Sequence, residues 1–263
     1  MRPLKALQFN SLLRFRLRAL LLLPIAVGIV CLSPPVQQFT TVRAIRRAGG
    51  GVGTSGVELN GVNRVLAQWV PDAFEEIDVL NLADVPVQRG WLPTIKRSDR
   101  LATLWLNRSG VADEDLGVLG GKQKLWELYL NGNPITDAGL KNLGRLPLLE
   151  RLQLNNTNVR NPGIVADSMP KVWVLKLRGT AVTDAAVSEI VRMPSLRQID
   201  LSRTQITDLA LEYLATVKTL DLVEIQDTPT SESGAQTLHT ALAPHCTVYA
   251  ADGSCLVADR YRQ

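Results

Sequence analysis

Apolar residues return along this chain in triplets of the form L-x-x-L-x-L. They begin at Ile77, Leu101, Leu125, Leu149, Val172, Leu196 and Leu220, in steps of 24, 24, 24, 23, 24 and 24 residues. The second and third members stay apolar in every copy, from Leu80/Leu82 to Ile199/Leu201 and Val223/Ile225. A fixed period of this size marks a stacked repeat. One unit cannot bury its own apolar face, but a stack of units shares a continuous core.

Within a unit the spacing changes. Leu128 and Leu130 are two apart, which puts both on one face of a short strand. A small polar residue follows at Asn133, Thr157, Thr180, Thr204 and Thr228, placed to bond the turning backbone and the neighbouring coil. Val111, Ile135, Val159, Val182 and Ile206 then return to the core. Thr136-Asp137, Thr183-Asp184 and Thr207-Asp208 offer helix N-caps. Behind them apolar residues fall three apart, as at Leu140, Leu143 and Leu146, which is helical spacing. Pro147, Pro170 and Pro194 stand two residues before the next strand, where they would end each helix. The pattern predicts an α/β solenoid with a curved parallel sheet inside and helices outside.

On these residues the chain resembles a leucine-rich-repeat protein of the 24-residue T-x-I-T-D-x-G-L type. Pro134–Leu140, Ala181–Val187 and Gln205–Leu211 carry the motif. Val111–Leu116 and Val159–Ile164 are looser copies. The resemblance covers roughly residues 77–243, about seven repeats, and residues 244–263 follow as a C-terminal cap and tail.

The N-terminus has a different composition. Residues 1–18 carry Arg2, Lys5, Arg14, Arg16 and Arg18 with no acid, and Ala19 to Val42 holds no charge. Three readings compete: a cleaved signal peptide, an uncleaved signal anchor and a buried core helix. A span needs about 20 apolar residues, and residues 19–39 reach that only by including Pro34, Pro35, Gln37 and Gln38. Small-residue cleavage sites are missing, because Cys31-Leu32-Ser33 runs into proline, and a solenoid has no slot for a core helix. A transmembrane signal anchor over 19–39 is the expectation. The basic tail then stays in the cytoplasm and the repeats lie outside it, although Arg43, Arg46 and Arg47 weigh against this. Residues 40–76 form a juxtamembrane segment and N-terminal cap. Within them "VRAIRRAGGGV" (42–52) reads as a short helix stopped by glycine and leading to a strand. "RFRLRALLLL", the A-I-x-x-x-G-G segment and the repeats together resemble bacterial membrane-anchored leucine-rich-repeat proteins.

Charge changes the picture once. The chain has 29 basic and 25 acidic residues and a pI near 9.1. Five of the basic residues lie in 1–18 and three more at Arg43, Arg46 and Arg47, leaving 21 basic against 25 acidic beyond residue 47. The folded body is not basic, so nucleic acid is not the expected partner.

Candidate chemistry is sparse. His239 and His245 are the only histidines, and with Cys246 and Cys255 they match no compact zinc spacing. No G-x-S-x-G, P-loop or H-E-x-x-H occurs, and the run Gly49–Gly53 follows no strand. Asp113, Asp137, Asp184 and Asp208 recur because helix starts recur. Neither an enzyme nor a cofactor or metal site is expected. Cys246 and Cys255 could form a disulfide pinning the tail, since the repeats are expected on the oxidising side; the alternative is a buried Cys246 thiol and a free Cys255. A strand over 246–250 should close the sheet.

The inner sheet face remains. The residue between the second and third leucines points away from the core, giving a column Asn81, Trp105, Tyr129, Gln153, Lys176, Asp200, Glu224. The column before it reads Val79, Thr103, Glu127, Arg151, Val174, Gln198, Leu222. Trp105 and Tyr129 should be neighbours, flanked by Glu127, Arg151 and Lys176. Aromatics and arginine dominate interface hot spots. The expected partner-binding face therefore comprises Trp105, Tyr129, Glu127, Arg151, Gln153, Lys176 and Asp200. Trp126 and Trp173, at the strand edge, read as packing residues. The expected function is a membrane-anchored module binding protein or peptide. The alternatives are a structural envelope protein and, for a cytosolic chain, an adaptor similar to ubiquitin-ligase substrate receptors.

Overall fold

The structure, a computed structural model, describes residues 34–56, 75–243 and 245–256. The expected cytoplasmic tail (1–18), residues 19–33 of the expected span and the last seven residues lie outside the described residues. The chain divides into two units, one of Met1–Ala44 with Gly56–Glu75, the other of Ile45–Ser55 with Glu76–Gln263. Helix α1, Pro34–Arg47, crosses the division. It has 14 residues and carries Arg43, Arg46 and Arg47. Among the described residues no helix is long and apolar enough to cross a membrane.

In the larger unit, Gly49 at φ +92 ends α1 as the glycine run predicts. Strand β1, Gly51–Gly56, follows. Gly50 sits where an added Cβ would strike the side chains of Ile45 and Leu82, so the end of α1 lies directly on the first coil. The strands continue with β2 (Glu75–Asn81), β3 (Thr103–Trp105), β4 (Glu127–Tyr129), β5 (Arg151–Gln153), β6 (Val174–Lys176), β7 (Gln198–Asp200), β8 (Leu222–Glu224) and β9 (Thr247–Tyr249). From β2 to β9 each is parallel to the next, and the strands lie in the sheet in chain order. The register follows the triplets: Leu80, Leu104, Leu128, Leu152, Leu175, Ile199 and Val223 are successive partners. All are at most 1% exposed. Burying one such side chain stabilises by about 1.5–3 kcal/mol.

The sheet does not close at β9. A two-residue strand β10, Cys255–Leu256, pairs antiparallel with it, Cys255 opposite Tyr249 and Leu256 opposite Val248. This pairing corrects the expected disulfide. Cross-strand partners share a face, so Cys255 stands on the Tyr249 side, whereas Cys246 alternates onto the Val248 side and is fully buried. Both cysteines are free.

Between strands the coils are less uniform than the sequence suggests. Helices α2 (Leu92–Arg97), α3 (Asp137–Asn142), α4 (Asp184–Ile190), α5 (Asp208–Leu214) and α6 (Glu232–Leu242) form, but 113–119 and 162–165 close into the tighter 3₁₀ form. Helices α3 and α4 end at Asn142 and Ile190, five and four residues before Pro147 and Pro194, so proline follows a completed turn rather than stopping the helix. Thr136 and Thr207 accept their helices' N–H groups as expected; Thr183 makes no such bond.

The polar position after each strand works in two ways. Asn133 Nδ2 donates to the carbonyls of Leu106 and Leu130, while its Oδ1 accepts from Ser109 and Val111, tying two coils together. Thr157, Thr180 and Thr204 reach only the carbonyl three residues back in their own coil. A threonine hydroxyl has one proton and a short reach; the asparagine amide spans the gap. Just before this position the chain turns through positive φ in every coil, at Asp84, Arg108, Gly132, Asn156, Gly179, Arg203 and Asp227. Such a corner lets the strand reverse direction within two residues, and only there does the side chain cost the backbone anything.

Candidate functional site: the open face of the sheet

The period-2 alternation of each short strand puts one column of side chains into the core and its neighbours onto the other face. Register sets the neighbours there: Asn81, Trp105, Tyr129, Gln153, Lys176, Asp200 and Glu224 are successive partners, as are Val79, Thr103, Glu127, Arg151, Val174, Gln198 and Leu222. Both predicted columns are present.

Trp105 and Tyr129 stack, with ring centroids 5.5 Å apart and planes 15° from parallel. Both are half-buried, and each ring spends one face on its neighbour. Arg151 organises the adjoining region. Its guanidinium lies 3.3 Å from the Glu127 carboxylate, reaches the Tyr129 hydroxyl at 3.5 Å, and sits 5.6 Å from the centroid of the Trp173 ring. Arg151 Nε is buried without a hydrogen-bond partner among the described residues. Gln153, next along from Tyr129, accepts from the Asn131 side chain. Asn107, Asn131 and Asn155 in turn accept the backbone N–H of Asn131, Asn155 and Arg178. This amide ladder fixes the C-terminal ends of the strands and therefore the spacing of the columns.

The other half of the face is closed by its own charges. Lys176 and Glu224 form an ion pair across the strand that carries Asp200. Asp200 is 7% exposed, and its carboxylate accepts the Ser202 N–H. Asp200, expected to meet a partner, is thus committed internally. Thr103 and Val174 are also buried. The residues that the structure brings together are Trp105, Tyr129, Glu127, Arg151 and Gln153, with Lys176 at their border; Glu127, its side chain 13% exposed, is held by Arg151 as Lys176 is by Glu224.

Trp126 and Trp173, both expected to pack at the strand edge, differ. Trp126 is 45% exposed. Trp173 is half-buried beneath Arg151 and donates its indole N–H to Glu150 Oε2 at 3.1 Å. Their position, one after the first apolar residue of a triplet, carries Ala102, Trp126, Glu150, Trp173, Arg197 and Asp221. That freely varying chemistry was the available sign that the position lies outside the core.

Among the described residues no cluster of His, Cys, Asp and Glu could hold a metal ion. The recurring carboxylates have a structural use that goes beyond capping. Asp113 accepts the N–H and hydroxyl of Thr136 in the next coil, Asp184 does the same to Thr207, and Asp208 to Ser231.

Residues 121–144 and 192–215 match the leucine-rich-repeat family model. The coils between and around them keep the same strand register, so the fold is a leucine-rich-repeat solenoid. No curated protein sequence matches the chain significantly. Among solved structures it is similar to a leucine-rich-repeat protein of Leptospira interrogans, at 21% identity and a TM-score of 0.47, covering 59% of this chain and 38% of that one. It is also similar to internalin C2 of Listeria monocytogenes, at 22% identity and a TM-score of 0.47, covering 65% and 80%. A second Listeria internalin aligns at 21% and 0.47, covering 70% and 61%. The chain thus spans well under half the length of the Leptospira protein.

Proposed function

We propose that this protein is a non-catalytic binding module, of the 24-residue repeat type, that receives a protein or peptide on the Trp105–Tyr129 half of its open sheet face. The single observation behind this is the stacked, half-exposed aromatic pair with Arg151 beside it. Solenoids present extended surfaces of this kind, and stacked aromatics beside an arginine are the side chains that carry binding energy. The basic residues of 1–18 and the uncharged stretch that follows support a membrane anchor with the repeats on the extracytoplasmic side.

Two measurements test the reading. Photo-crosslinking from position 129 in intact cells should capture a specific partner that Trp105→Ala abolishes while the circular dichroism spectrum is unchanged. Protease added to intact cells should digest the repeats and leave a membrane-held N-terminal stub. Capture unaffected by Trp105→Ala would remove the face from consideration, and repeats protected until lysis would remove the topology.

A further inference from the structure

A second surface lies along the edge where the strands begin, meeting the open face at Arg151, whose guanidinium lies over the Trp173 ring. Backbone bonds fix its order. The carbonyl of Trp126 accepts both Glu150 and Arg151 N–H, that of Glu150 accepts Trp173 and Val174, that of Trp173 accepts Arg197 and Gln198, and that of Arg197 accepts Asp221 and Leu222. The side chains at this rim are therefore spaced at the strand repeat of about 4.8 Å. From Glu150 to His245 they line a hollow of about 840 Å³, within the range of about 300–1,000 Å³ that ligand sites occupy.

Charge in the hollow leans positive. Asp221 is paired with Arg197 at 2.6 Å, and Glu150, bonded to the neutral indole N–H of Trp173, keeps its charge against two lysines. The lysines are not paired with an acid. Lys218 donates only to the carbonyls of Ala215 and Ala241, and Lys171 is exposed with no ion pair among the described residues. What the hollow presents is an indole and two ammonium groups. Trp126 extends the aromatic surface beyond Glu150 with 45% of its area exposed.

We propose that this rim hollow binds an extended acidic segment of a partner protein that carries an aromatic or large apolar side chain. The apolar side chain packs on the part of Trp173 that Arg151 leaves exposed, and the carboxylates meet Lys171 and Lys218. Four strand intervals give about 19 Å, enough for about six extended residues at about 3.3 Å each. Acid-to-lysine attraction sets specificity and makes the binding weaken with salt, because the screening length falls below about 8 Å above physiological ionic strength.

The test uses the full-length protein in detergent micelles on an array of hexapeptides varied independently from acidic to basic and from aromatic-free to aromatic-rich. Binding should rise with both acidic and aromatic content. Trp173→Ala should weaken it by roughly tenfold, as expected for removal of an interface anchor, and Lys171→Glu should weaken it while Lys171→Arg restores it. Trp105→Ala should leave it unchanged, which separates this rim from the open face whichever of the two fails. Preference for basic peptides, indifference to Trp173→Ala, loss on Trp105→Ala, or absence of binding across the array would each overturn the proposal.

Discussion

Asp113 holds Thr136 of the following coil twice over, its Oδ1 accepting the backbone N–H at 2.8 Å and its Oδ2 the hydroxyl at 2.6 Å. One carboxylate so satisfies two donors at the start of the next helix, where backbone N–H groups have no partner of their own. The arrangement recurs at Asp184–Thr207 and Asp208–Ser231, while Asp137 takes the N–H groups of Arg160 and Asn161.

The series is broken once. Asn161 stands where the other coils have aspartate, its Oδ1 is buried without a partner, and Thr183 in the next coil receives no staple from it. The Asn161 amide offers one oxygen where the aspartates offer two, and that oxygen makes neither bond. Asn161→Asp is expected to close the gap and stabilise the fold by about 0.5–1.5 kcal/mol, read as a higher urea midpoint. Asp113→Ala should cost about 1–3 kcal/mol by leaving both Thr136 donors unmet. A lower midpoint for Asn161→Asp would show that this seam is too wide to staple.

Gly132 occupies the corner at φ +68, and an added Cβ there would stand 2.8 Å from Arg108 Cγ. Gly110 has φ +73 with nothing within 4 Å. Gly110→Ala should therefore cost only the left-handed strain of about 1–2 kcal/mol, and Gly132→Ala more. Equal losses in thermal unfolding would mean that Arg108 moves aside freely.

Lys122 is 5% exposed and caps the end of α2, Nζ donating to the carbonyls of Lys96 at 2.6 Å and Ser98 at 2.9 Å. Burial holds its pKa below the ordinary 10.5, opposed by the Asp99 charge. The unfolded chain then keeps a proton that the folded one has released, so stability rises with pH between the lowered value and 10.5. The gap between the native protein and Lys122→Met should shift in the native protein's favour from pH 8 to pH 10. Cys246 acts oppositely in this window but is common to both proteins and cancels. A pH-independent difference would mean that Lys122 stays fully charged.

Burial, with Asp221 nearby, pushes the Cys246 thiol up to about 12. Since the thiolate is the reactive form, iodoacetamide at pH 8 should label Cys255 in the native protein and Cys246 only after unfolding. Peptide mapping reads the sites. A mixture in which neither reacts until reductant is added would restore the disulfide.

The triplets were sufficient to place the strands and their register, because a leucine moved by one residue would leave the core. Both columns of the open face followed from that alone, including the contact of Trp105 with Tyr129. Which members are open did not follow. Asp200 is covered because Lys176 is long enough to reach Glu224 across it, a matter of three side chains in three coils. Trp126 is exposed and Trp173 engaged because the rim falls outside the alternation that sorts core from face. The 3₁₀ turns at 113–119 and 162–165, the missing staple at Asn161 and the separation of Cys246 from Cys255 belong to the same class. Periodicity determines where a residue stands within its own coil. Which partner it meets depends on the reach and chemistry of residues some 24 positions away, and only the stacked coils bring those together.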